Sequence, residues 1–196
     1  MGEMKSAFDR AMERAEKLGT LSPEELKRLD SLPRGNLIAA RYLREDSYDL
    51  EAELTKLKGT GVRKYIIEGA QEIFLRNIAL PRDIRSKQTA RRAMAGLQFL
   101  KENKKALNGI VARLEQLFNY YEQARQQSFN QLKQDFEARL NEKTGGLGKR
   151  LLGGKSKINI EGQPEFQEEW YRAQASLDQQ YEKALEDQRK EIVKLS

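Results

Sequence analysis

A glycine-rich basic segment separates two long amphipathic patterns, and this separation limits the possible folds more than any other feature of the chain. The segment runs from Thr144 to Pro164 and contains six of the fourteen glycines, four Lys or Arg residues and a single Glu. Glycine clusters interrupt regular structure. The segment therefore predicts a turn between two helices, with positive charge gathered at its tip.

Both flanking patterns have the spacing of an α-helix. Apolar residues recur every three or four positions from Leu107 to Glu142 and again from Glu165 to Leu195. At 1.5 Å per residue the two helices would measure about 54 Å and about 48 Å. Because neither helix could bury its apolar stripe alone, we predict that they pair as a long antiparallel, coiled-coil-like hairpin.

The N-terminal residues predict helices that are shorter than those of the hairpin. An amphipathic helix is predicted at 6–18, with an apolar face formed by Phe8, Ala11, Met12, Ala15 and Leu18. Ser22 and Glu25 form a capping box around Pro23, which predicts the start of a second helix. Pro33 and Gly35 predict that this helix ends near Leu32.

Shorter helices are predicted between this point and the hairpin. They are expected at 37–44, 48–58, 62–78 and 83–103. Together with the first two helices they would form a compact bundle. The predicted fold is therefore all-α, with a helical bundle at 1–105, a long helical hairpin at 106–196 and the glycine-rich tip at 144–164.

The residue composition excludes several kinds of chemistry. Cysteine and histidine are both absent, which excludes disulfides, thiolate or imidazole metal sites and nucleophiles activated by a histidine base. We expect no cofactor, no metal and no small-molecule substrate. An enzyme that uses carboxylates or a bound magnesium ion stays open as a third hypothesis. The chain has no apolar run of membrane-spanning length and no signal-peptide pattern at its start, so a cytoplasmic location is expected.

Positive charge is concentrated in two segments. Residues 82–105 carry eight basic and two acidic side chains, and residues 143–157 carry five basic and none that is acidic. Such segments favour polyanions or anionic lipid. The candidates for binding a polyanion or a partner are Lys149, Arg150, Lys155, Lys157, Arg91 and Arg92. The alternative is that these side chains pair with acidic residues, such as those of the C-terminal helix.

Two further sequence patterns resemble a phosphate-binding motif and a metal site, but each lacks part of the usual motif. Residues 148–156 approach the phosphate-binding motif G-x-x-x-x-G-K-S/T, but the first glycine stands one position early. The segment also lies between two helices, whereas the motif joins a strand to a helix. Carboxylates spaced by four residues occur at 45, 49 and 53 and at 178, 182 and 186. A helical metal site usually adds histidine ligands, so neither group is expected to bind a metal.

The first thirty residues carry a resemblance. Lys5 to Gly19, followed by the sequence from Leu21 to Leu26, resembles the start of some uncharacterised bacterial helical proteins. The resemblance implies a bacterial, cytoplasmic protein of unknown function. The resemblance identifies no catalytic or binding residue in this sequence.

These observations favour a non-enzymatic structural or interaction protein. The hairpin would mediate self-association or binding of a protein partner, and its aromatic residues favour a homodimer. The alternative is binding of nucleic acid, the ribosome or an anionic membrane through the basic segments 82–105 and 143–157.

Overall fold

A computed structural model describes residues 22–143 and 159–195, and these residues contain helices and no strand. The all-α fold class is therefore confirmed over the described chain. The helix predicted at 6–18 and tip residues 144–158 lie outside it. The helices are α1 (Pro23–Arg44), α2 (Leu50–Lys56), α3 (Arg63–Asn77), α4 (Ile84–Leu100), α5 (Lys104–Lys143) and α6 (Pro164–Lys194).

The described residues form two compact units. Residues 22–78 and 89–101 belong to one unit, and residues 79–88, 102–143 and 159–195 belong to the other. The domain division drawn from the sequence, 1–105 and 106–196, stays a prediction. None of the helices in the described ranges is long and apolar enough to span a membrane.

Helix α1 begins at the predicted capping box. The hydroxyl of Ser22 accepts a hydrogen bond from the Glu25 amide (3.3 Å), and the Glu25 carboxylate accepts one from the Ser22 amide (2.7 Å). The predicted end near Leu32 is wrong, because the helix continues through Pro33 to Arg44. Pro33 lies on the exposed side of the helix, as does Leu29, whose carbonyl loses its helical partner. Solvent can bond that carbonyl, and packing against α3 supports the helix.

Helices α1 and α3 approach so closely that their contact requires glycine. A Cβ atom on Gly35 would lie 2.0 Å from the carbonyl oxygen of Ile66, and one on Gly69 would lie 2.3 Å from that of Leu32. The amide nitrogen of Asn36, in the orientation that satisfies its neighbours, donates to the carbonyls of Gly69 (2.8 Å) and Leu32 (3.2 Å). The glycine that predicted a helix break is therefore a packing residue inside one continuous helix.

The core of this unit is centred on Phe74, which is fully buried. The ring of Tyr42 contacts it edge-on at 5.6 Å. Gly96 of α4 lies against the same ring, since a Cβ at that position would be 2.5 Å from the Phe74 Cζ atom. The apolar stripe predicted for α4 is buried, and its members are Ala90, Met94, Leu97 and Leu100.

Helices α5 and α6 lie antiparallel. Arg113 near the start of α5 pairs with Glu191 near the end of α6. Further along, Phe129 contacts Trp170 with ring centroids 5.0 Å apart, and the Arg139 guanidinium bonds the Glu169 carboxylate at 2.6 Å. At 1.5 Å per residue the helices measure about 60 Å and about 46 Å. Coiled-coil geometry stays a prediction.

Aromatic rings alternate between the two helices in the half of the pair near residues 143 and 159. Phe129 contacts both Trp170 (5.0 Å) and Phe166 (5.6 Å), and Phe166 contacts Phe136 (5.5 Å). All three contacts are edge-to-face, the favoured geometry for aromatic pairs. Ile160 packs into the same cluster. This cluster joins the described ends of the chain on either side of residues 144–158.

Candidate interaction surface

The outward side of α5 carries no charge over a long stretch. Between Leu114 and Gln134 every residue that is exposed as a whole is uncharged, although the Lys133 side chain on the flank is 41% accessible. We call this surface the uncharged face; its residues are Gln116, Asn119, Tyr120, Gln123, Gln126, Gln127, Asn130, Gln131 and Gln134. Charged residues make up 34% of the whole chain, so an exposed helical surface without one is a marked departure from the rest of the protein.

Glu122, Arg125 and Lys133 of the same stretch are half-buried as whole residues and contact partners away from the outward side of the helix. Glu122 accepts a hydrogen bond from the Lys87 ammonium at 2.6 Å, and Lys133 donates to Glu161 at 2.5 Å. The guanidinium of Arg125 lies 5.7 Å from the centre of the Trp170 ring. Each of these charges has a partner within the unit, which leaves the amides on the outward side.

The buried side of α5 sets the orientation of the uncharged face. Leu114, Phe118 and Tyr121 are fully buried, and their spacing of four and three residues follows one side of a helix. The opposite side must therefore point outward. Capping fixes the start of the helix, since the Asn103 side chain accepts a hydrogen bond from the Ala106 amide at 3.0 Å. Helix α5 consequently starts three residues before the predicted Leu107.

Hydrogen bonds one turn apart hold several of these amides in place. Gln116 donates to the Tyr120 hydroxyl (3.1 Å), and Gln126 donates to the Asn130 side chain (3.0 Å). Pairs at this spacing add a few tenths of a kcal/mol to a helix, roughly 0.2 to 0.5 kcal/mol each. The face extends about 27 Å from Gln116 to Gln134, which is about five helical turns.

A shallow groove, widely open to solvent, follows one edge of the uncharged face. Its lining residues are Gln127, Ser128, Gln131, Leu132 and Asp135. Leu132 is half-buried and gives the groove some apolar surface. The groove can accept a side chain from a neighbouring helix, whereas an enclosed pocket for a small molecule would have to surround its ligand.

The chemistry of this face suits protein contact. Amide side chains both donate and accept hydrogen bonds, and they lose less solvation free energy on burial than ionised groups do. The cores of protein interfaces are depleted in Lys, Glu and Asp and enriched in Tyr. Tyr120, one turn from the Gln116 end of the face, is 54% exposed. Its residues include no group that ionises near neutral pH, so the face offers no acid or base for catalysis.

Sequence reasoning missed this surface. The predicted binding residues come from segments rich in positive charge, whereas this surface is marked by an absence of charge at outward helical positions. The polar lapse at Arg125 and Ser128 interrupts the apolar stripe and drew attention to the inward side. Placing each residue of this stretch on a helical wheel would have revealed the signal.

The structure describes two of the six predicted binding residues, Arg91 and Arg92. Lys149, Arg150, Lys155 and Lys157 lie outside the described residues. Arg91 is exposed on α4. Arg92 is directed to the C-terminal end of α1 and is described next.

Arg92 serves the structure of its own unit. Its Nε and Nη2 atoms donate to the backbone carbonyls of Tyr42 and Glu45, each at 2.5 Å, and it also pairs with Asp46. Carbonyls at a helix C-terminus lack helical partners and attract positive charge. Arg92 therefore satisfies the end of α1, and only part of its side chain remains accessible.

Arg82, at the start of the basic segment 82–105, pairs with an acidic residue of its own unit. Arg82 donates to Asp178 of α6 at 2.6 Å, as the pairing alternative in the sequence predicted. Within the two carboxylate groups, Asp49 caps α2 by accepting from the Ala52 amide at 2.9 Å, and Glu182 pairs with Arg189. Over residues 22–143 and 159–195, no cluster of carboxylates is arranged to hold a metal ion.

Asp178 also accepts a hydrogen bond from a buried phenol. The Tyr121 hydroxyl donates to Asp178 at 2.6 Å, and the Tyr121 side chain is fully buried. Burial, followed by the hydrogen bond and the negative charge of Asp178, raises the pKa of Tyr121 from 10.0 to about 12. Because only the neutral phenol can donate this bond, the network is stable at neutral pH and gives no reactive base.

Between pH 10 and about pH 12 the protein is expected to lose stability as Tyr121 ionises. The raised pKa favours the neutral phenol in the folded state, so its stabilisation is full below pH 10 and is lost as pH rises through about 12. The loss is on the order of 2 to 3 kcal/mol. Urea unfolding over this pH range measures it. Tyr121→Phe should flatten the alkaline loss; an equal slope in both proteins would contradict the assignment.

Comparison with known proteins identifies one family. Residues 51–194 match the model of a Family of unknown function (DUF6657). The match spans more than half of the chain, so the chain belongs to this family. It includes the uncharged face. No curated protein and no solved structure gives a match.

The family match bears on the resemblance seen in the sequence. It confirms the relation to an uncharacterised family. The matched residues do not include the first thirty, on which the resemblance was based. A bacterial origin stays a prediction.

Proposed function

We propose that this member of the family is a non-enzymatic interaction protein, in which the paired helices α5 and α6 present the uncharged face to a second copy of the chain. The observation that carries the proposal is that all exposed residues between Leu114 and Gln134 are uncharged. A helix surface that only faces solvent has no need to exclude Lys and Glu, which are good helix formers and improve solubility.

A second copy is the partner that suits this surface best. In a two-fold symmetric dimer the same patch of each copy meets itself, so a charged centre would face its own charge. An amide avoids this repulsion, because its oxygen accepts from the NH₂ group of the facing amide. The middle of the face lies near Gln123 and Gln127, and these are the residues expected near the symmetry axis.

The size of the face predicts modest affinity. A helix surface about 27 Å long is small beside a standard interface, which buries about 800 Å² on each partner. Amide-rich interfaces also retain bridging water. We therefore expect a dimer that forms in a concentration-dependent way at micromolar concentration, with Tyr120 as its main apolar contact.

The polyanion alternative has less support within the described residues. Arg82, Lys87 and Arg92 all pair with acidic side chains of their own units. The alternative therefore depends chiefly on Lys149, Arg150, Lys155 and Lys157. Association through amides should change little with salt, whereas binding to phosphate backbones falls steeply as salt rises.

Charge placed in the uncharged face should break the dimer. The double variant Gln123→Lys/Gln127→Lys is expected to weaken dimerisation at least tenfold, because the new ammonium groups of the two copies face each other across the axis. Sedimentation velocity over a concentration series measures the dissociation constant. Lysine is a good helix former, so the fold should persist.

The matched control is Gln179→Lys/Gln180→Lys, which makes the same change at exposed positions of α6. It should leave dimerisation unchanged. The proposal fails if the natural chain is a monomer at micromolar concentration, or if both double variants weaken the dimer equally. A steep loss of association with salt would favour the polyanion alternative.

A further inference from the structure

The uncharged face carries one projecting aromatic ring and one groove, and both lie on the same side of α5. Tyr120 is the projecting residue, with about half of its surface exposed. At about 100° per residue, Gln127 and Gln131 of the groove lie within about 20° of Tyr120 around the helix axis. The middle of the groove is near Asn130, about 15 Å along the axis from Tyr120. Each copy of the chain therefore offers a ring and, at a fixed distance from it, a recess.

The Tyr120 ring does not enter the groove of its own chain. Its hydroxyl accepts a hydrogen bond from Gln116 at 3.1 Å, so the side chain leans towards the N-terminal end of α5, the usual direction for long side chains on a helix. The groove lies on the C-terminal side of Tyr120. Only the Tyr120 ring of a second copy can therefore reach this groove.

The spacing of ring and groove fits two antiparallel copies of α5. In such a dimer, positions at equal distances before and after the two-fold axis face each other. The midpoint between Gln116 and Gln134 is position 125; Tyr120 stands five residues before it and Asn130 five residues after it. Each ring then meets the groove of the other copy. In a parallel dimer each Tyr120 would lie about 15 Å from the partner's groove.

The charged residues of α5 on either side of the uncharged face favour the same orientation. The exposed charges before the face are all basic, and those after it are acidic apart from Arg139, which bonds Glu169. Antiparallel copies place the basic end of one beside the acidic end of the other, whereas parallel copies place like charges together. Exposed charges of this kind select an orientation more than they add affinity. The basic residues are Lys104, Lys105 and Arg113, and the acidic ones are Asp135, Glu137 and Glu142.

We propose that the two copies align their α5 helices antiparallel and that each Tyr120 ring inserts into the groove at 127–135 of the other copy. This inference rests on the proposed function, because it assigns the geometry of the same dimer. The Tyr120 hydroxyl, which accepts from Gln116, keeps its own hydrogen to donate to Asp135 of the second copy. Asp135 accepts from the Gln131 amide at 2.9 Å, and its carboxylate has further lone pairs for this bond.

Disulfides can report the orientation directly, because the chain contains no cysteine. The test uses the full chain with Gln116→Cys and Gln134→Cys as separate variants. In the antiparallel dimer, position 116 of one copy lies opposite 134 of the other, while the two positions 116 are about 27 Å apart. An equimolar mixture should form a linked dimer on mild oxidation. Either variant alone should form at least tenfold less, since a disulfide needs Cα atoms within about 7 Å.

Non-reducing electrophoresis, with sedimentation velocity of the reduced variants, separates the outcomes. A linked dimer from the mixture alone supports the proposal. Self-linking of Gln116→Cys would show parallel helices, which overturns this inference and leaves the proposed function standing. A dimer in sedimentation that forms no disulfide in any of the three samples would also overturn the antiparallel alignment. A monomer in sedimentation would overturn both the alignment and the proposed function.

Tyr120→Ala tests the insertion of the ring. It should weaken dimerisation at least tenfold in sedimentation velocity, because it empties both grooves, whereas Tyr120→Phe keeps the ring and should lose less. The matched control is Tyr171→Ala, which removes an exposed tyrosine from α6 and should leave the dissociation constant unchanged. If Tyr120→Ala dimerised as tightly as Tyr171→Ala, the inserted ring would be disproved even where the antiparallel disulfide forms.

Discussion

Gly35→Ala is expected to destabilise the protein by about 3 kcal/mol, more than most single substitutions of one methyl group. The new Cβ would lie 2.0 Å from the carbonyl oxygen of Ile66 and 2.8 Å from the amide nitrogen of Ala70. Both atoms belong to the backbone of α3, so no side-chain rotation can relieve the overlap. The helices must separate, which also weakens the hydrogen bond that Asn36 of α1 donates to the Gly69 carbonyl of α3. Urea unfolding followed by circular dichroism measures the change.

Gly109→Ala is the matched control. Gly109 lies within α5, and a Cβ there would have no neighbour within 4 Å. Alanine at an exposed helix position should therefore stabilise the chain by up to about 1 kcal/mol through helix propensity. The close approach of α1 and α3 would be disproved if Gly35→Ala were as well tolerated as Gly109→Ala.

Phe166→Ala is expected to remove about 3 to 4 kcal/mol from the stability of the α5–α6 pair. Phe166 is only 2% exposed, and it contacts Phe129 and Phe136 edge-to-face. Its loss would create a cavity where the two helices meet. The chain has a single tryptophan, and Trp170 lies one turn along α6 from Phe166. Tryptophan fluorescence therefore reports this region selectively. The unfolding transition that it follows should move to a lower urea concentration.

Tyr171→Ala serves as the comparison for this experiment. Tyr171 is adjacent to Trp170 but 77% exposed, so its truncation should change the transition by less than about 0.5 kcal/mol. Equal effects of the two substitutions would show that the aromatic cluster does not hold the helices together. Hydrogen exchange at 129–143 and 160–170 should increase for Phe166→Ala alone, because the damage is local.

The two predictions concern the two units separately, and the second bears on the proposed function. The uncharged face keeps its orientation only while α5 packs on α6 through its inward side. Loss of Phe166 should therefore weaken dimerisation indirectly, whereas Gln123→Lys/Gln127→Lys acts on the contact itself and should leave urea unfolding of the monomer unchanged.

Local signals predicted much of the fold. The Ser22 capping box identified the start of α1 to the residue, and the periodic apolar stripe of α4 identified its buried residues. Pro33 shows where local signals fail. A proline usually ends a helix because it removes a hydrogen bond, but tertiary contacts of α1 with α3 outweigh that loss.

The candidate surface was harder to predict, since its meaning depends on exposure. Gln123 and Glu122 are neighbours in sequence, and composition alone cannot distinguish their roles. The structure places Glu122 beside Lys87 and turns Gln123 outward. Arg92 gives the converse case, because its charge suggested a ligand while its position assigns it to the carbonyls that end α1.

By itself, the sequence determined the all-α class, the long amphipathic helices and the absence of cysteine and histidine chemistry, because helical periodicity and residue type are local properties. Only the tertiary structure decided that Gly35 is a packing residue, that Arg82 and Arg92 serve internal partners and that the outward side of α5 between Leu114 and Gln134 carries no charge. These outcomes depend on which surfaces meet, and a one-dimensional pattern does not contain the distances between residues far apart in the chain.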